Sequence, residues 1–277
     1  MNANRISRGL PFADYLAHPA LSASGVKRIL VSPAHFRVPL TDTKALADGR
    51  LIHRAILEPE SYGQTTVVLP QDAPTKPTAR QRNAKKPSPD TLTAIDWWDA
   101  WEREAAGRDI LSTDDRQQHL DISGAVRSHP AAARLLADGE AEVSLFWQHA
   151  EHDVPCKARF DWWRASDRIL VDIKTTVDAS PAGFAKQVAR YQYHAQAAMY
   201  HTAAEHLFGE APSAFVFIAV EKEPPYAVGV YALDAEAISK GHALVDQAAT
   251  LYRQCLAADR WPGYPDTIQT LTLPAWA

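Results

Sequence analysis

The segment that most constrains the fold is Lys157–Thr176, which reads KARFDWWRASDRILVDIKTT. It contains two strand-like runs, Ala158–Arg164 and Arg168–Thr176, with a short polar break between them. The second run alternates between apolar and polar residues, and side chains two positions apart share a face of a strand. Asp172 and Lys174 therefore lie on one face, and the segment predicts a β-hairpin that carries charged groups.

A hairpin turn centred on Ser166-Asp167 would place Asp161 directly across from Asp172. Opposed like charges destabilise a pair of strands, so we expect a cation between the two carboxylates. Carboxylate oxygens suit Mg²⁺ or Mn²⁺, and these ions usually accompany phosphate substrates. With Lys174 on the same face, the group is typical of metal-assisted hydrolysis. An Asp-x-Lys on a strand is also common as a solvated surface, so the rest of the chain has to decide between these interpretations.

Composition limits the kinds of protein that this chain can be. The 277 residues form one large domain or two small ones, with 46% hydrophobic and 22% charged residues, as in ordinary globular proteins. No apolar run approaches the roughly 20 residues that span a bilayer, and the N-terminus lacks the apolar region of a secretory signal. We therefore expect a cytoplasmic protein without membrane contact.

The two cysteines, Cys156 and Cys255, are far apart in the sequence, which argues against a disulfide framework. They also cannot supply the four thiolates of an ordinary iron–sulfur cluster, so we expect none. The net charge of −4 and the pI of about 6.3 exclude a general nucleic-acid coat protein. A nucleic-acid enzyme with a local basic channel stays possible.

The periodicity places strands in the middle of the chain, with helices before, between and after them. This order predicts an α/β fold with a mixed, partly antiparallel sheet. Two short helices are expected after Ser22 or Ser24 and after Ser32, which are good helix caps. The longer predicted helices are Thr41–Glu58, Thr91–Gly107, Asp115–Asp138 with a break near Pro130, Pro181–Phe208 and Asp234–Ala258. The predicted strands are Thr65–Leu69, Glu142–Gln148, Asp153–Arg164, Arg168–Thr175, Ser213–Glu221 and Tyr226–Leu233.

Two of these helices carry candidate functional residues. In Thr41–Glu58, Gly49 costs about 1 kcal/mol against Ala, so we expect a close approach there. His53 shares its face and is either a hydrogen-bonded, half-buried histidine or, as a neutral imidazole, a metal ligand. In Pro181–Phe208, Gln196 lies on one face with Tyr193 and Tyr200, where it either packs or serves a site.

Two further features stay open at this point. Glu142 begins the strand before the hairpin and is either an additional acid of the site or one half of an ion pair. The stretch Pro70–Pro89 has no periodicity and predicts a loop. Its cations make it either a solvated loop or a flap that contacts phosphate. These cations are Lys76, Arg80, Arg82, Lys85 and Lys86.

Four pieces in this order resemble the PD-(D/E)xK nuclease superfamily, in its RecB-like branch. They are Gly49-x-x-x-His53, Asp161, Asp172-x-Lys174 and Gln196-x-x-x-Tyr200. Two further stretches resemble the C-terminal nuclease domain of RecE-type exonucleases (exonuclease VIII), which are common in phages and prophages. They are LSASGVKRILVSPAHFR, and KARFDWW…VDIKTT followed by YQYHAQAAMY. The resemblance runs from about Leu21 to Trp276. It implies one nuclease domain over residues 1–277, with residues 70–90 as a mobile basic loop.

The resemblance implies a PD-(D/E)xK fold, in which helices flank a central mixed sheet. Its usual proline before the first acid is Phe160 here, and its second acid is Asp172 rather than glutamate, but both carboxylates remain. The implied ligands of Mg²⁺, with Mn²⁺ as a substitute, are His53, Asp161, Asp172 and the backbone carbonyl of Ile173. Lys174 would position water or stabilise developing negative charge. Gln196 and Tyr200 would orient Lys174, the water or a DNA phosphate.

The activity implied by the resemblance is Mg²⁺-dependent, 5′→3′ exonuclease digestion of linear double-stranded DNA from its ends. The product would be a 3′ single-stranded tail for a single-strand annealing recombinase. Relatives of this type form homo-oligomeric rings, as trimers or tetramers, around the duplex.

Three other interpretations compete with this one. A RecB-like nuclease of the CRISPR-adaptation type, or one that acts on single-stranded DNA, shares the motifs, but the former usually carries four cysteines. A catalytically inactive DNA-binding or assembly relative is disfavoured by the complete set of His53, Asp161, Asp172 and Lys174. A non-nuclease hydrolase is supported by little beyond the pair of aspartates.

Overall fold

The computed structural model describes residues 4–39 and 41–273. Trp276, at the end of the predicted resemblance, lies outside the described residues. The helices are α1 (Phe12–Ala17), α2 (Ala23–Val31), α3 (Pro33–Arg37), α4 (Lys44–Leu57), α5 (Pro59–Thr65), α6 (Ala79–Arg82), α7 (Pro89–Glu104), α8 (Thr113–Ser128), α9 (Pro130–Leu135), α10 (Pro181–Arg190), α11 (Tyr193–Phe208) and α12 (Ala235–Ala258). The strands are β1 (Arg5–Ser7), β2 (Thr66–Val68), β3 (Asp109–Leu111), β4 (Glu140–His149), β5 (Val154–Arg164), β6 (Ile169–Thr176), β7 (Ala214–Glu221) and β8 (Val228–Ala232).

The central sheet has six strands in the order β1-β4-β5-β6-β7-β8. Adjacent strands of this sheet run antiparallel, except for β6 and β7. These two run parallel because α10 and α11 connect them. A separate pair, β2 and β3, is parallel. The predicted α/β class with a mixed sheet is therefore confirmed.

Helices cover both faces of the central sheet. On one face, α2, α11 and α12 bury their apolar residues against β4 and β5. On the other face, α4, α8 and α9 pack on β6 and β7. The alternation predicted for β6 is confirmed, because Leu170 belongs to the first core while Val171 and Ile173 belong to the second.

Small residues let α11 and α12 approach each other closely. Ala195, Ala197 and Ala198 of α11 are fully buried. Gly241 of α12 lies over the backbone of α11, and a Cβ added there would lie 2.1 Å from the His194 carbonyl oxygen. Glycine is thus required at residue 241, and α11 is held firmly against the sheet.

The predicted helix caps are confirmed at Ser22 and Ser32, and the structure adds a third cap at Asp234. The Ser22 hydroxyl accepts the Gly25 N–H at 3.2 Å, and the Ser32 hydroxyl accepts the His35 N–H at 3.3 Å. Asp234 accepts the Ala237 N–H at 2.7 Å and begins α12. In each case a polar side chain satisfies an amide that has no partner within the helix.

The single helix predicted over Pro181–Phe208 is wrong. The chain forms α10 and α11, and between them Gln192 takes a left-handed backbone conformation with φ of 51°. Neither glycine nor proline marks this break, so the helical periodicity runs through it unnoticed. The change of direction matters because α11 carries Gln196 and Tyr200.

The predicted loop Pro70–Pro89 contains the short helix α6 and is attached to α7. Lys76 pairs with Glu102 at 2.7 Å, and Arg82 pairs with Asp99 at 2.6 Å. The Trp98 indole N–H donates to the Pro74 carbonyl at 2.8 Å. Acidic residues of α7 thus balance two of the cations in this stretch.

Five short elements have no counterpart in the sequence-based prediction: β1, α1, α5, α6 and β3. Each is shorter than eight residues, too short for periodicity to reveal. None of the described helices combines the length and the apolar character needed to cross a membrane.

Candidate active site

A cleft of about 960 Å³ opens beside the first core, between helices α1, α2 and α4 and strands β4 and β5. Five of the residues that line it are polar residues that the sequence analysis singled out. They are His53, Glu142, Asp161, Gln196 and Tyr200. The fold therefore gathers residues that are far apart in the sequence.

The β5–β6 hairpin has the predicted register. Trp162 pairs with Val171 and Trp163 with Leu170, so the same register places Asp161 opposite Asp172. The ladder of paired residues stops at Trp162. Beyond it, Asp161 Oδ2 accepts the backbone N–H of Ile173 at 2.8 Å. A side chain thus replaces the strand pairing where the two acids meet.

A matching irregularity lies on β4. Ala141 pairs with Trp162 and Val143 pairs with Phe160, so Glu142 falls opposite Asp161. Glu142 has a φ of 54°, which is uncommon for a residue other than glycine. Three neighbouring strands therefore contribute one acid each at the same level of the sheet.

His53 completes a group of metal-binding donors. Its Nδ1 lies 3.4 Å from Asp161 Oδ2, and α4 supplies it from the helical layer next to the sheet. One donor atom each from His53, Glu142 and Asp161 lie within 4.8 Å of one another. Burial, followed by the charge of Lys174, lowers the pKa of His53, so the neutral imidazole has a lone pair to offer.

Asp172 is held by two neighbours that the sequence also singled out. Its side chain is only 1% exposed, and its carboxylate forms an ion pair with Lys174. The Gln196 amide donates to Asp172 Oδ1 at 2.6 Å. Oδ2 contacts the ammonium, but no described residue meets this oxygen in hydrogen-bonding geometry. Oδ1 is therefore held by a hydrogen bond, whereas Oδ2 faces Lys174 and can still accept another bond.

The local charges favour a bound cation. Burial, then repulsion from Asp172, raises the pKa of Asp161 well above its usual range. Burial opposes the charged form of Lys174, but Asp172 and Asp161 outweigh it and raise the pKa of the ammonium. The Lys174 ammonium and the Arg159 guanidinium face three neighbouring carboxylates, so a divalent cation would stabilise the ionised acids. Oxygen donors with one imidazole suit such an ion.

The other predicted residues take different positions. The N–H of Ile173 is used by Asp161, and the ligand role of its carbonyl stays a prediction. Tyr200 lines the cleft one turn beyond Gln196, with its ring centroid 5.0 Å from that of Phe160. Burial raises the pKa of its phenol, which therefore stays a neutral donor. The close approach expected at Gly49 is wrong, because no described atom lies within 4 Å of its Cβ position.

Sequence reasoning left Glu142 undecided between an additional acid of the site and one half of an ion pair. It belongs to the donor group, and it also forms an ion pair with Arg159. The available signal was the register, since residue 142 falls opposite Asp161 when β4 is paired with β5.

Sequence reasoning missed the cations of the cleft. Lys27 and Lys174 place their ammonium groups 4.7 Å and 4.8 Å from the centroid of the Tyr193 ring. Burial, followed by the charge of Lys174, lowers the pKa of Lys27 to about 8. The cations that line the cleft are Lys27, Arg28, Arg37, Arg50, Arg54, Lys157 and Arg159. The basic stretch Lys76–Lys86 is absent from the described lining. A signal existed in α2, whose polar face carries Lys27 and Arg28.

Acids from adjacent strands, with a lysine two residues after the last acid, define a domain of the PD-(D/E)xK type. Residues 22–274 match the model of a family described as a PDDEXK-like domain of unknown function (DUF3799), and the chain belongs to this family. The predicted superfamily is thereby confirmed.

Comparison with solved structures gives one similar fold and one weaker match. A protein from Eubacterium rectale, provisionally described as an exonuclease, aligns over 97% of this chain and 96% of its own, with a TM-score of 0.60 and 12% identity. A phage-related exonuclease from Haemophilus somnus 129PT aligns over 90% of this chain and 100% of its own, with a TM-score of 0.37 and 12% identity. A search of curated proteins gave no match.

Proposed function

We propose that this nuclease-like domain is a Mg²⁺-dependent exodeoxyribonuclease that digests linear double-stranded DNA in the 5′→3′ direction. The observation that carries the proposal is the convergence of His53, Glu142 and Asp161 beside the Asp172–Lys174 ion pair. These are the groups needed for metal-assisted hydrolysis of a phosphodiester. His53, Glu142 and Asp161 line a cleft that also contains cations.

His53, Asp161 and Glu142 would hold the ion, together with the Asp172 oxygen that Gln196 leaves free and the Ile173 carbonyl. When bound, the ion supplies a water of lowered pKa and neutralises charge on the phosphate. Mg²⁺ is favoured because most of these donors are oxygens, and Mn²⁺ would substitute because it accepts the same ligands and an imidazole.

The chain's own residues supply the remaining interactions. The Lys174 ammonium stays protonated between two carboxylates, so it can stabilise negative charge that develops on the phosphate or position the attacking water. Gln196 holds Asp172 in place. Tyr200 offers a neutral phenol at the wall of the cleft, where it can donate to a phosphate oxygen.

The cleft also supports a nucleic-acid substrate. Four of its arginines come from α2, α3 and α4, and a fifth, Arg159, comes from β5. Arg50 and Arg54 pair with Asp42 and Asp109, and such exposed pairs are weak enough to be exchanged for phosphate contacts. A basic wall thus stands beside the acidic centre in a protein whose net charge is −4.

The proposal extends to assembly and pathway. A homo-oligomeric ring, a trimer or a tetramer, would add the cleft cations of several subunits around one duplex end. The 3′ single-stranded tail would pass to a single-strand annealing recombinase.

The test is digestion of a linear duplex labelled at one 5′ end or one 3′ end, in Mg²⁺ and separately in Mn²⁺. We expect the wild-type protein to release the 5′ label first as mononucleotides, and Lys174→Ala to bind DNA without cleaving it. Lys240→Ala is the matched control, because this exposed lysine pairs with Glu236, at 2.7 Å, on the outer side of α12. Unchanged cleavage by Lys174→Ala would refute the assigned site. Absence of cleavage by the wild-type protein in both metals would instead indicate a catalytically inactive DNA-binding relative.

A further inference from the structure

A second group of metal-binding side chains lies at the far end of β4. His149 is the last residue of this strand, His152 lies in the turn to β5, and Asp246 lies on α12. One donor atom from each lies within 4.8 Å of the other two. The group belongs to a different part of the sheet from the acids of the cleft.

The distances within this group are too long for hydrogen bonds. Asp246 Oδ1 lies 3.5 Å from His152 Nε2 and 3.8 Å from His149 Nε2. An N–H···O bond would bring these atoms to about 2.7–3.2 Å. Donors that share one tetrahedral ion at about 2.0–2.2 Å lie roughly 3.3–3.5 Å apart. The observed spacing therefore resembles a shared ion more closely than a directly hydrogen-bonded triad.

The imidazoles are also left without partners. His149 is 8% exposed, and its Nδ1 meets no hydrogen-bonding partner among the described residues. The same holds for His152 Nε2, which is the atom directed at Asp246. Buried ring nitrogens normally find a partner, because leaving them unbonded is destabilising. An ion between the three side chains would satisfy His152 directly and neutralise Asp246.

The turn that carries the histidines is held rigidly. The Asp153 N–H donates to the His149 carbonyl at 2.9 Å, and the Gln148 amide donates to the Asp153 carboxylate at 2.9 Å. These bonds hold the backbone of the turn, and the centroids of the two imidazole rings lie 4.8 Å apart. A site built on a fixed turn loses little conformational entropy when it binds an ion.

We propose that His149, His152 and Asp246 form a second metal site, which takes a transition metal of the Zn²⁺ class and fastens the β4–β5 turn to α12. Two imidazoles and one carboxylate suit Zn²⁺, whereas Mg²⁺ prefers an all-oxygen shell. Seven residues of β4, at about 3.3 Å each, separate His149 from Glu142, so the two sites are roughly 20 Å apart. The site is structural, because it joins two elements of the first core and lies outside the cleft.

The test is titration of the metal-free, full-length protein with Zn²⁺ in competition with a chromophoric chelator, and with Co²⁺ by visible absorption. The double variant His53→Ala/Asp161→Asn removes donors of the cleft and isolates the second site. We expect this variant to keep one equivalent of bound metal. Adding Asp246→Asn should weaken binding by at least about tenfold, because loss of an outer-shell partner alone costs 10–100-fold.

Two further variants make the result unambiguous. His152→Ala should weaken binding as Asp246→Asn does, while His194→Gln, on α11, should not. Asp246→Asn preserves the shape of a half-exposed side chain, so a failure to fold is not expected. Zn²⁺ should raise the thermal midpoint of the double variant, and adding Asp246→Asn should remove that rise. Equal metal binding with and without Asp246→Asn, or no binding by the double variant, would overturn the proposal.

Discussion

The Gln196 side-chain amide donates a hydrogen bond to Asp172 Oδ1 at 2.6 Å, and this bond joins α11 to the central strand β6. The contact assigns the glutamine a positioning role, because it fixes an acid rather than touching Lys174. It also depends on the left-handed conformation of Gln192, which directs α11 across the sheet. One hydrogen bond thus links the helix break to the geometry of the site.

Replacing Gln196 with leucine should lower the rate of cleavage more than the affinity for DNA. The substitution leaves Asp172 Oδ1 without its donor, and an unsatisfied buried acceptor costs about 1–3 kcal/mol. Steady-state kinetics should show kcat reduced by roughly 10–100-fold, with little change in KM. Gln117→Leu, which removes an exposed amide paired with Asp121 at 2.8 Å, is the control. An equal loss of kcat in both variants would contradict the positioning role.

Glu142→Gln should raise the concentration of Mg²⁺ needed for half-maximal cleavage, because the neutral amide is a weaker metal ligand than a carboxylate. The same strand offers a matched control in Glu140→Gln, which removes an exposed carboxylate paired with Arg8. Titration of activity with Mg²⁺ separates the two variants. If the Mg²⁺ requirement of Glu142→Gln matched that of Glu140→Gln, then Glu142 would serve only the ion pair with Arg159.

Much of this site could be predicted from the sequence, because it is encoded by local patterns. The alternation in β6 fixes the common face of Asp172 and Lys174, and the hairpin length fixes the register to Asp161. The position of Gln196 on a helical face follows from periodicity. The family match confirms the superfamily, and the roles of the individual residues stay predictions until they are measured.

What the sequence did not reveal depends on tertiary packing. The helix break at Gln192 has no glycine or proline to mark it. The cations of the cleft are dispersed along the sequence, so no local pattern reveals them. The stretch Lys76–Lys86 is contiguous and is therefore visible as a basic segment. Acids of α7 balance part of that cluster, and this pairing depends on how a loop folds back on a helix.

The stability of the metal-free protein should depend on pH through Asp161. Burial and then Asp172 raise the pKa of this acid in the folded state, so the folded protein binds more protons than the unfolded chain above the unfolded pKa of about 4. The free energy of unfolding therefore falls as pH rises from that value through the raised pKa. With a chelator present, Asp161→Asn should be more stable than wild type at pH 7. The difference in free energy of unfolding should vanish near pH 4.

Chemical denaturation at both pH values, with and without Mg²⁺, measures this effect. The asparagine introduced by Asp161→Asn would keep a side-chain oxygen to accept the Ile173 N–H, so the substitution changes charge more than hydrogen bonding. Mg²⁺ should stabilise wild type more than the variant, because only wild type keeps this carboxylate. If the free energies of unfolding of the two proteins changed equally with pH in the presence of a chelator, ionised Asp161 would not destabilise the fold. The site would then not need a cation to stabilise this carboxylate.

Lys27→Gln should weaken DNA binding below pH 8 and leave the fold intact. The ammonium of Lys27 faces the same ring as Lys174 and lines the cleft, so it adds positive charge where a phosphate would approach. Loss of one phosphate contact should also reduce the slope of binding against salt concentration by about 1. Fluorescence anisotropy with a labelled duplex, at several salt concentrations in Ca²⁺, measures both quantities.

The pH dependence distinguishes Lys27 from the other cations of the cleft. Its pKa is lowered to about 8, so its charge is present below that pH and is lost as pH rises through it. Wild-type affinity for DNA should therefore fall between pH 7 and pH 9, and Lys27→Gln should show a flatter profile because it lacks the titrating group. Lys186→Gln, an exposed position on α10, should behave as wild type. Parallel profiles for wild type and Lys27→Gln would show that Lys27 does not contact the DNA.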